Sequence, residues 1–269
     1  MLLNKVKPAK GIREDWPEIE VGKRVLIAGA SGDIGHAVLR LLAGSEVKIG
    51  AHYHENGESL KRLADNCCLD GSRIKLYPTD LSTQKSCHAL VDSFVEWAGG
   101  IDGLVQLTGN VKRPCAWEEL TEEEWLADIN INLSGPFFLA QRVMKYMKAS
   151  GGGRIILTST ASAKHGGGKT SMAYGVAKAG IECLAKGLAR EGAPYGILVN
   201  VIAPGFIETK FHIQRMGRSR RELEKRRELV PLKKAGKPED VARMILYLLS
   251  SGGNYITGEC IAISGGDWL

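Results

Sequence analysis

Between Arg24 and Ala43 a short apolar run, VLIA, passes through GASGDIG straight into a helical pattern. An apolar run with no polar alternation belongs to a strand buried on both faces. Such a strand needs helices above and below it, and the remainder of the chain has to supply them. EVKIGAHY, RIKLYPTD, DGLVQLTG, GGGRIILTST, GILVNVIAPG and ECIAISGG follow as further short strands, with helix-period segments between them. Parallel neighbours require crossovers of that size. The alternation therefore predicts one α/β unit, a doubly wound parallel sheet of about seven strands with helices on both faces. No internal repeat is visible beyond it.

The helical segments are read from about Ile34 to Ala43, closed by Gly44, then ESLKRLADNC and TQKSCHALVDSFVEWA. A long one from Thr121 to about Lys148 opens on a capping box, Thr121 as N-cap and Glu124 at N3. Two more run from about Ser171 to Arg190 and from about Pro238 to Ser250. Residues 1–21 are polar, hold Pro8 and Pro17, and lack periodicity. They are expected to form a surface extension, partly disordered. A single domain, 22–269, follows.

Composition excludes several classes. The chain of 269 residues is 44% hydrophobic and 25% charged, which suits a soluble globular protein. No run of 18 apolar residues is present, so no membrane span is expected. The first residues carry charges throughout and no apolar core of a signal peptide. The six Cys (67, 68, 87, 115, 183, 260) show neither CxxC nor metal-ligand spacing with His. They read as reduced thiols of a cytoplasmic protein with no metal site. A net charge of +6 is too modest to imply nucleic acid, and no aromatic platform accompanies it.

Two stretches carry chemistry. The glycines of Gly29-Ala-Ser31-Gly32-Asp33-Ile34-Gly35 lie between the first strand and the first helix. There they let the backbone turn tightly and approach a pyrophosphate, which the helix N-terminus stabilises. Asp33 would repel that group if its carboxylate faced inward, so it is expected to point away. The second stretch is YGVAK, with Tyr174 and Lys178 four apart on one helix face. A nearby cation would lower the phenol pKa, and the pair could exchange a proton with a carbonyl or alcohol oxygen.

AGASGDIG resembles the T-G-x-x-x-G-x-G turn of the short-chain dehydrogenase/reductase family, and Tyr174 with Lys178 resembles its Y-x-x-x-K. INLSGPF is similar to its N-L-x-G-x-F helix segment, NVIAPGFIET to the stretch after its sixth strand, and ITGECIAISGG to its last strand. The motifs occur in the family's order and cover residues 22–269. The resemblance, closest to 3-oxoacyl-[acyl-carrier-protein] reductase-like members, implies a Rossmann-type sheet and an NAD(P)-dependent hydride transfer at a carbonyl or secondary alcohol. It implies Tyr174 as general acid/base, Lys178 as its partner and ribose ligand, and Asn132 as anchor of a proton-relay water. Cofactor contacts implied are Gly29, Ser31, Gly32, Ile34, Gly35, Tyr53, Asp80, Leu81, Gly109, Tyr174, Lys178, Pro204, Gly205, Ile207 and Thr209. The family also implies a homotetramer or homodimer.

The chain departs from the pattern in four places. Ala28 replaces the first Thr. Asp33 replaces the middle Gly. Gln106-Leu-Thr-Gly109 replaces N-N-A-G, so only Gly109 survives. Where the family has a Ser after the fifth strand, Thr160 stands, with Ser159 and Ser162 as alternatives. At the end of the second strand Tyr53 occupies the usual acid position, with His52 and His54 beside it. The missing acid favours NADP over NAD. Residues 206–234, which fold over the substrate in the family, contain ten Lys/Arg and four Glu, a net +6. They fit an acidic small-molecule substrate or carrier, or a solvated helix with paired charges. An alternative reading, suggested by the altered turns, is a dinucleotide-binding protein of the same fold with a regulatory or structural role.

Overall fold

In the computed structural model the described residues are 23–55, 57–267 and 269; the expected N-terminal extension, residues 1–21, lies outside them. Seven parallel strands form one sheet in the order β3-β2-β1-β4-β5-β6-β7. They are β1 (Arg24–Ala28), β2 (Lys48–Tyr53), β3 (Ile74–Pro78), β4 (Gly103–Gln106), β5 (Gly153–Thr158), β6 (Ile197–Pro204) and β7 (Cys260–Ile263). The order reverses between β1 and β4, which opens a crevice at the strands' carboxyl ends. At the opposite end Arg24 grips Asp102 with Nε and Nη2, both at 2.7 Å, and so pins the start of β1 to that of β4.

Two apolar layers flank the sheet. One gathers Val38, Leu42, Ile49, Leu60, Val241 and Ile245, from α1 (Asp33–Ala43), α2 (Gly57–Asn66) and α9 (Pro238–Leu249) over one face. The other gathers Leu90, Phe94, Leu139, Val143, Ile181 and Ala185, from α3 (Gln84–Ala98), α5 (Gly135–Ser150) and α6 (Met172–Gly192). This is the doubly wound arrangement that the apolar runs demanded. No helix among the described residues is long and apolar enough to cross a membrane.

One expected helix is broken. The segment expected to run unbroken from Thr121 to Lys148 is α4 (Glu122–Ile129), a π-helical turn at Asn130–Ser134, and α5. The Thr121–Glu124 capping box is present as read. The π turn adds a residue without ending the helix, and sequence periodicity is blind to so short an insertion. Asn132, buried, sits in this turn. The basic segment forms two helices that lacked any apolar signal, α7 (Phe211–Gln214) and α8 (Arg220–Leu229).

Candidate active site

At the end of β1 the chain turns at Gly29 with φ of +88°, and a Cβ there would lie 2.9 Å from the Thr108 nitrogen. Gly35, in the first turn of α1, has the Gly29 and Ala30 carbonyl oxygens 2.6 Å from where its Cβ would be. Ser31 and Gly32 span the turn, Ile34 follows on α1, and no side chain caps the helix at Gly32. Its first N–H groups are thus left for an anion, with the helix dipole favouring one. The cradle fits a dinucleotide pyrophosphate. Asp33 directs its carboxylate at the 206–234 segment, the expected lid, where Oδ2 accepts the Lys210 backbone N–H at 2.7 Å.

His52 is a strut beneath this turn. It is 2% exposed; Nδ1 accepts the Gly29 N–H at 3.0 Å and Nε2 donates to the Thr79 carbonyl at 2.8 Å. Burial pushes its pKa down to about 4, so it stays neutral. With both ring nitrogens engaged by backbone, His52 is not free to read a ribose phosphate. His54 is exposed beside Glu55. Tyr53 is half-buried, its ring packed against the backbone of Gly57. Asp80 holds both Ser82 donors, at 3.0 and 2.9 Å, and Leu81 beside it is buried.

The reactive cluster is built on α6, β5 and the loop after β4. Lys178 is 1% exposed, and its ammonium donates to the carbonyls of Thr158 at 2.9 Å and Thr108 at 3.3 Å. Those two carbonyls are set by Gln106, a buried residue at the end of β4. Its amide donates to the Thr108 carbonyl at 3.0 Å, while its own backbone carbonyl accepts the Thr158 hydroxyl at 2.6 Å. Gln106 thus spans the widening gap between β4 and β5, the support that the missing N-N-A-G left open. The signal was available: a Gln closing an apolar strand has to find partners inside.

Asn132 ties the next part of the loop. Its amide donates to the Asn110 carbonyl at 2.7 Å and to the Asp128 carbonyl at 2.8 Å, and its oxygen accepts the Asn110 N–H at 3.1 Å. One turn earlier, buried Asp128 accepts the Lys112 N–H at 2.7 Å. Gly109 lies between: a Cβ there would be 3.1 Å from the Asn132 oxygen and 3.3 Å from the Lys178 ammonium.

The Thr160 side chain neighbours the Tyr174 phenol and pulls its pKa down against burial. The Thr160 hydroxyl also meets Ser162 at 3.1 Å. Ser159 is turned the other way, donating to the Lys178 carbonyl at 2.9 Å and to Glu182 at 2.8 Å, and is 1% exposed. It is therefore removed from contention by its own partners. Pro204 offers its carbonyl to Thr160 at 3.5 Å, and Gly205 donates to Ile263 at 3.0 Å. Ile207 is buried and Thr209 half-buried at the root of the lid. Phe211, which no sequence signal marked, stacks on Tyr174 with ring centroids 6.1 Å apart.

The electrostatics differ from the expectation. Burial pushes the Tyr174 phenol up to about 12, against which Thr160 works, and pushes the Lys178 ammonium down to about 7. The ammonium lies 5.6 Å from the ring centroid and spends donors on carbonyl oxygens, so it does not draw the phenol down as the spacing suggested. The phenol accordingly remains protonated near neutrality, the form that can donate. Among the described residues no cluster of His, Cys, Asp and Glu could hold a metal ion.

A phosphate cradle at the sheet's switch point, beside a buried Lys and a Tyr–Thr hydroxyl pair, defines a dinucleotide-dependent oxidoreductase. A profile of the family described as enoyl-(acyl carrier protein) reductase matches residues 28–267. The 3-oxoacyl-[acyl-carrier-protein] reductase FabG of Thermotoga maritima is 37% identical over 248 residues, 91% of this chain and 97% of that protein. The acetoacetyl-CoA reductase of Rhizobium meliloti is 32% identical over 244 residues, 91% of this chain and 98% of its own length. A short-chain dehydrogenase/reductase from Serratia marcescens shares the fold, with a TM-score of 0.85 at 24% identity, over 94% of this chain and all of that one. The chain belongs to the short-chain dehydrogenase/reductase family and is an NAD(P)-dependent oxidoreductase.

Proposed function

We propose that this protein reduces the keto group of a 3-oxoacyl thioester to the 3-hydroxyacyl product, with NADPH as the preferred reductant. The observation that carries the reaction is the Tyr174–Thr160 pair beside a desolvated Lys178. The names of the reductases from Thermotoga and Rhizobium support the substrate class. The bound nicotinamide supplies a hydride to the carbonyl carbon. Thr160 donates a hydrogen bond to the carbonyl oxygen and fixes it against the phenol. Tyr174, held protonated by burial, gives its proton to that oxygen as charge develops there. Lys178, with a pKa of about 7, can pass a proton back to the phenolate. Asn132 and Gly109 hold the wall on which this exchange takes place. Ser31, Gly32, Ile34 and Gly35 would hold the pyrophosphate, Tyr53, Asp80 and Leu81 the adenosine, and Pro204, Gly205, Ile207 and Thr209 the nicotinamide.

The preference for NADPH rests on β2, which ends in Tyr53 with no acid to claim both ribose hydroxyls. Location in the cytoplasm and assembly into a homotetramer or homodimer complete the proposal. The test is a comparison of NADPH and NADH in the reduction of acetoacetyl-coenzyme A. We expect turnover with both, kcat/KM higher for NADPH, and at least about a hundredfold lower kcat for Tyr174→Phe. A greater than tenfold preference for NADH, or a Tyr174→Phe variant as active as wild type, rejects the respective claim.

A further inference from the structure

We infer that Asp33 is a positioning residue that fastens the start of the lid to the cofactor turn, so that the phosphate cradle and the cover over Tyr174 form one mechanical unit. The sequence marked Asp33 as an oddity, an acid where the glycine turn usually has no side chain. A glycine there could offer no acceptor to anything across the crevice. The carboxylate of Asp33 crosses 177 positions of sequence to accept the Lys210 N–H at 2.7 Å.

That N–H opens α7, a helix of only four residues with no side-chain cap of its own. So short a helix cannot hold its place through its own hydrogen bonds, and its position has to come from outside. The lid root is fixed on its other edge by the strand-like exchange with Gly236, which donates to the Phe206 carbonyl at 2.9 Å and accepts the Glu208 N–H at 2.8 Å. Two residues further on, Asp33 takes the Lys210 N–H. Immediately after it, Phe211 stacks on Tyr174, and His212 packs between Phe206 and Phe211 at 5.1 and 5.9 Å. A displacement of Lys210 is therefore passed directly to the ring that covers the phenol. Between α1 and the lid lies a cavity of about 430 Å³, whose lining includes Asp33, His36 and Arg40 on one side and Lys210, Ile213 and Leu223 on the other. Among the described residues, the Asp33–Lys210 bond is the hydrogen bond that joins α1 to the lid at this end of the cavity.

A pair of substitutions separates the bond from the charge. Asp33→Asn keeps a side-chain oxygen acceptor, whereas Asp33→Gly removes it; Asp33→Ala repeats the removal in a residue that favours the helix. Two readouts are taken. The first needs neither substrate nor cofactor: the rate of limited trypsin cleavage after Lys210, Arg215 and Arg218 in the free protein. The second is KM and kcat for acetoacetyl-coenzyme A, a choice that rests on the function proposed above. We expect the Gly and Ala variants to be cleaved about tenfold faster in the lid, the loss expected for one charged hydrogen bond. Their KM should rise by a similar factor, with both effects within about twofold of wild type in Asp33→Asn. Cleavage of the Gly and Ala variants at the wild-type rate overturns the inference, as does an Asn variant that behaves like Gly. Failure of wild type to turn over the thioester counts against the substrate class alone, since the cleavage comparison is independent of it.

Discussion

Lys178 is a long cationic side chain with 1% of its surface exposed, and desolvation pulls its pKa from the usual 10.5 to about 7. A group depressed in this way binds fewer protons in the folded chain than in the unfolded one between about pH 7 and 10.5. Below that window both states are charged and burial costs stability in full. As pH rises through it, the folded state sheds its proton and the cost fades. Lys178→Met removes the charge and takes one donor from the Thr158 carbonyl and one from the Thr108 carbonyl, which Gln106 still holds. We therefore expect wild type to gain on the variant in Tm as pH is raised from 6 to 9, while the variant loses turnover at every pH. A difference in Tm that does not change with pH would show that Lys178 is not desolvated. Residue-scale chemistry was partly legible. The spacing of Tyr174 and Lys178 pointed to a pair, but it could not show that the ammonium would turn to the Thr108 and Thr158 carbonyls. Nor could it choose between Thr160 and Ser159, because that choice depends on Glu182, 23 positions away, claiming the Ser159 hydroxyl.

At the scale of elements, α6 carries Tyr174, the phenol proposed to donate the proton, and one close contact sits beside it. Gly175, next to Tyr174, is buried against Gly166 and Gly167; a Cβ there would land on the Gly166 carbonyl oxygen and 2.5 Å from the Gly167 nitrogen. Those atoms are backbone and cannot swing aside. Gly175→Ala should therefore push the 161–168 segment, and Thr160 at its start, away from the phenol. We expect destabilisation of about 1–3 kcal/mol, read as a few degrees in Tm. A loss of about tenfold or more in kcat/KM should accompany it; unchanged kinetics would mean the segment does not position Thr160. The helices at the site's edge show where pattern reading stops. RRELEKRREL has no apolar stripe, so only the reading of paired charges pointed to a helix there, although Ser219 and Glu222 spell the same capping box as Thr121 and Glu124. The start of a helix is legible even when its face is not.

On the scale of the whole molecule, the strand order and both apolar layers follow from how the buried runs alternate with helices, and the right-handed crossover rule leaves few other arrangements. The lid is the part that alternation does not reach, because its geometry comes from contacts between distant segments. Its charge is unevenly used. Arg226 is occupied by Asp267 at 2.5 Å and lies over Phe206, whereas Arg220 and Arg221 are exposed on the first turn of α8. If the lid attracts an acidic thioester, Arg220→Glu with Arg221→Glu should raise KM for acetoacetyl-coenzyme A several-fold at low salt. kcat should hold, and the effect should shrink at higher ionic strength. Equal KM at all salt concentrations would assign α8 to a solvated face. The π turn at Asn130–Ser134 has a consequence at this same scale. Asp128 at the end of α4 and Asn132 within the turn both reach the 110–112 loop, Asp128 through Lys112 and Asn132 through Asn110. Removing Ile131 would close the turn as regular helix and set Asn132 one position nearer Asp128, swinging it out of line with the Asn110 backbone. Such a protein would keep its helical circular dichroism and lose its turnover, a lesion of angle that a census of secondary structure would miss.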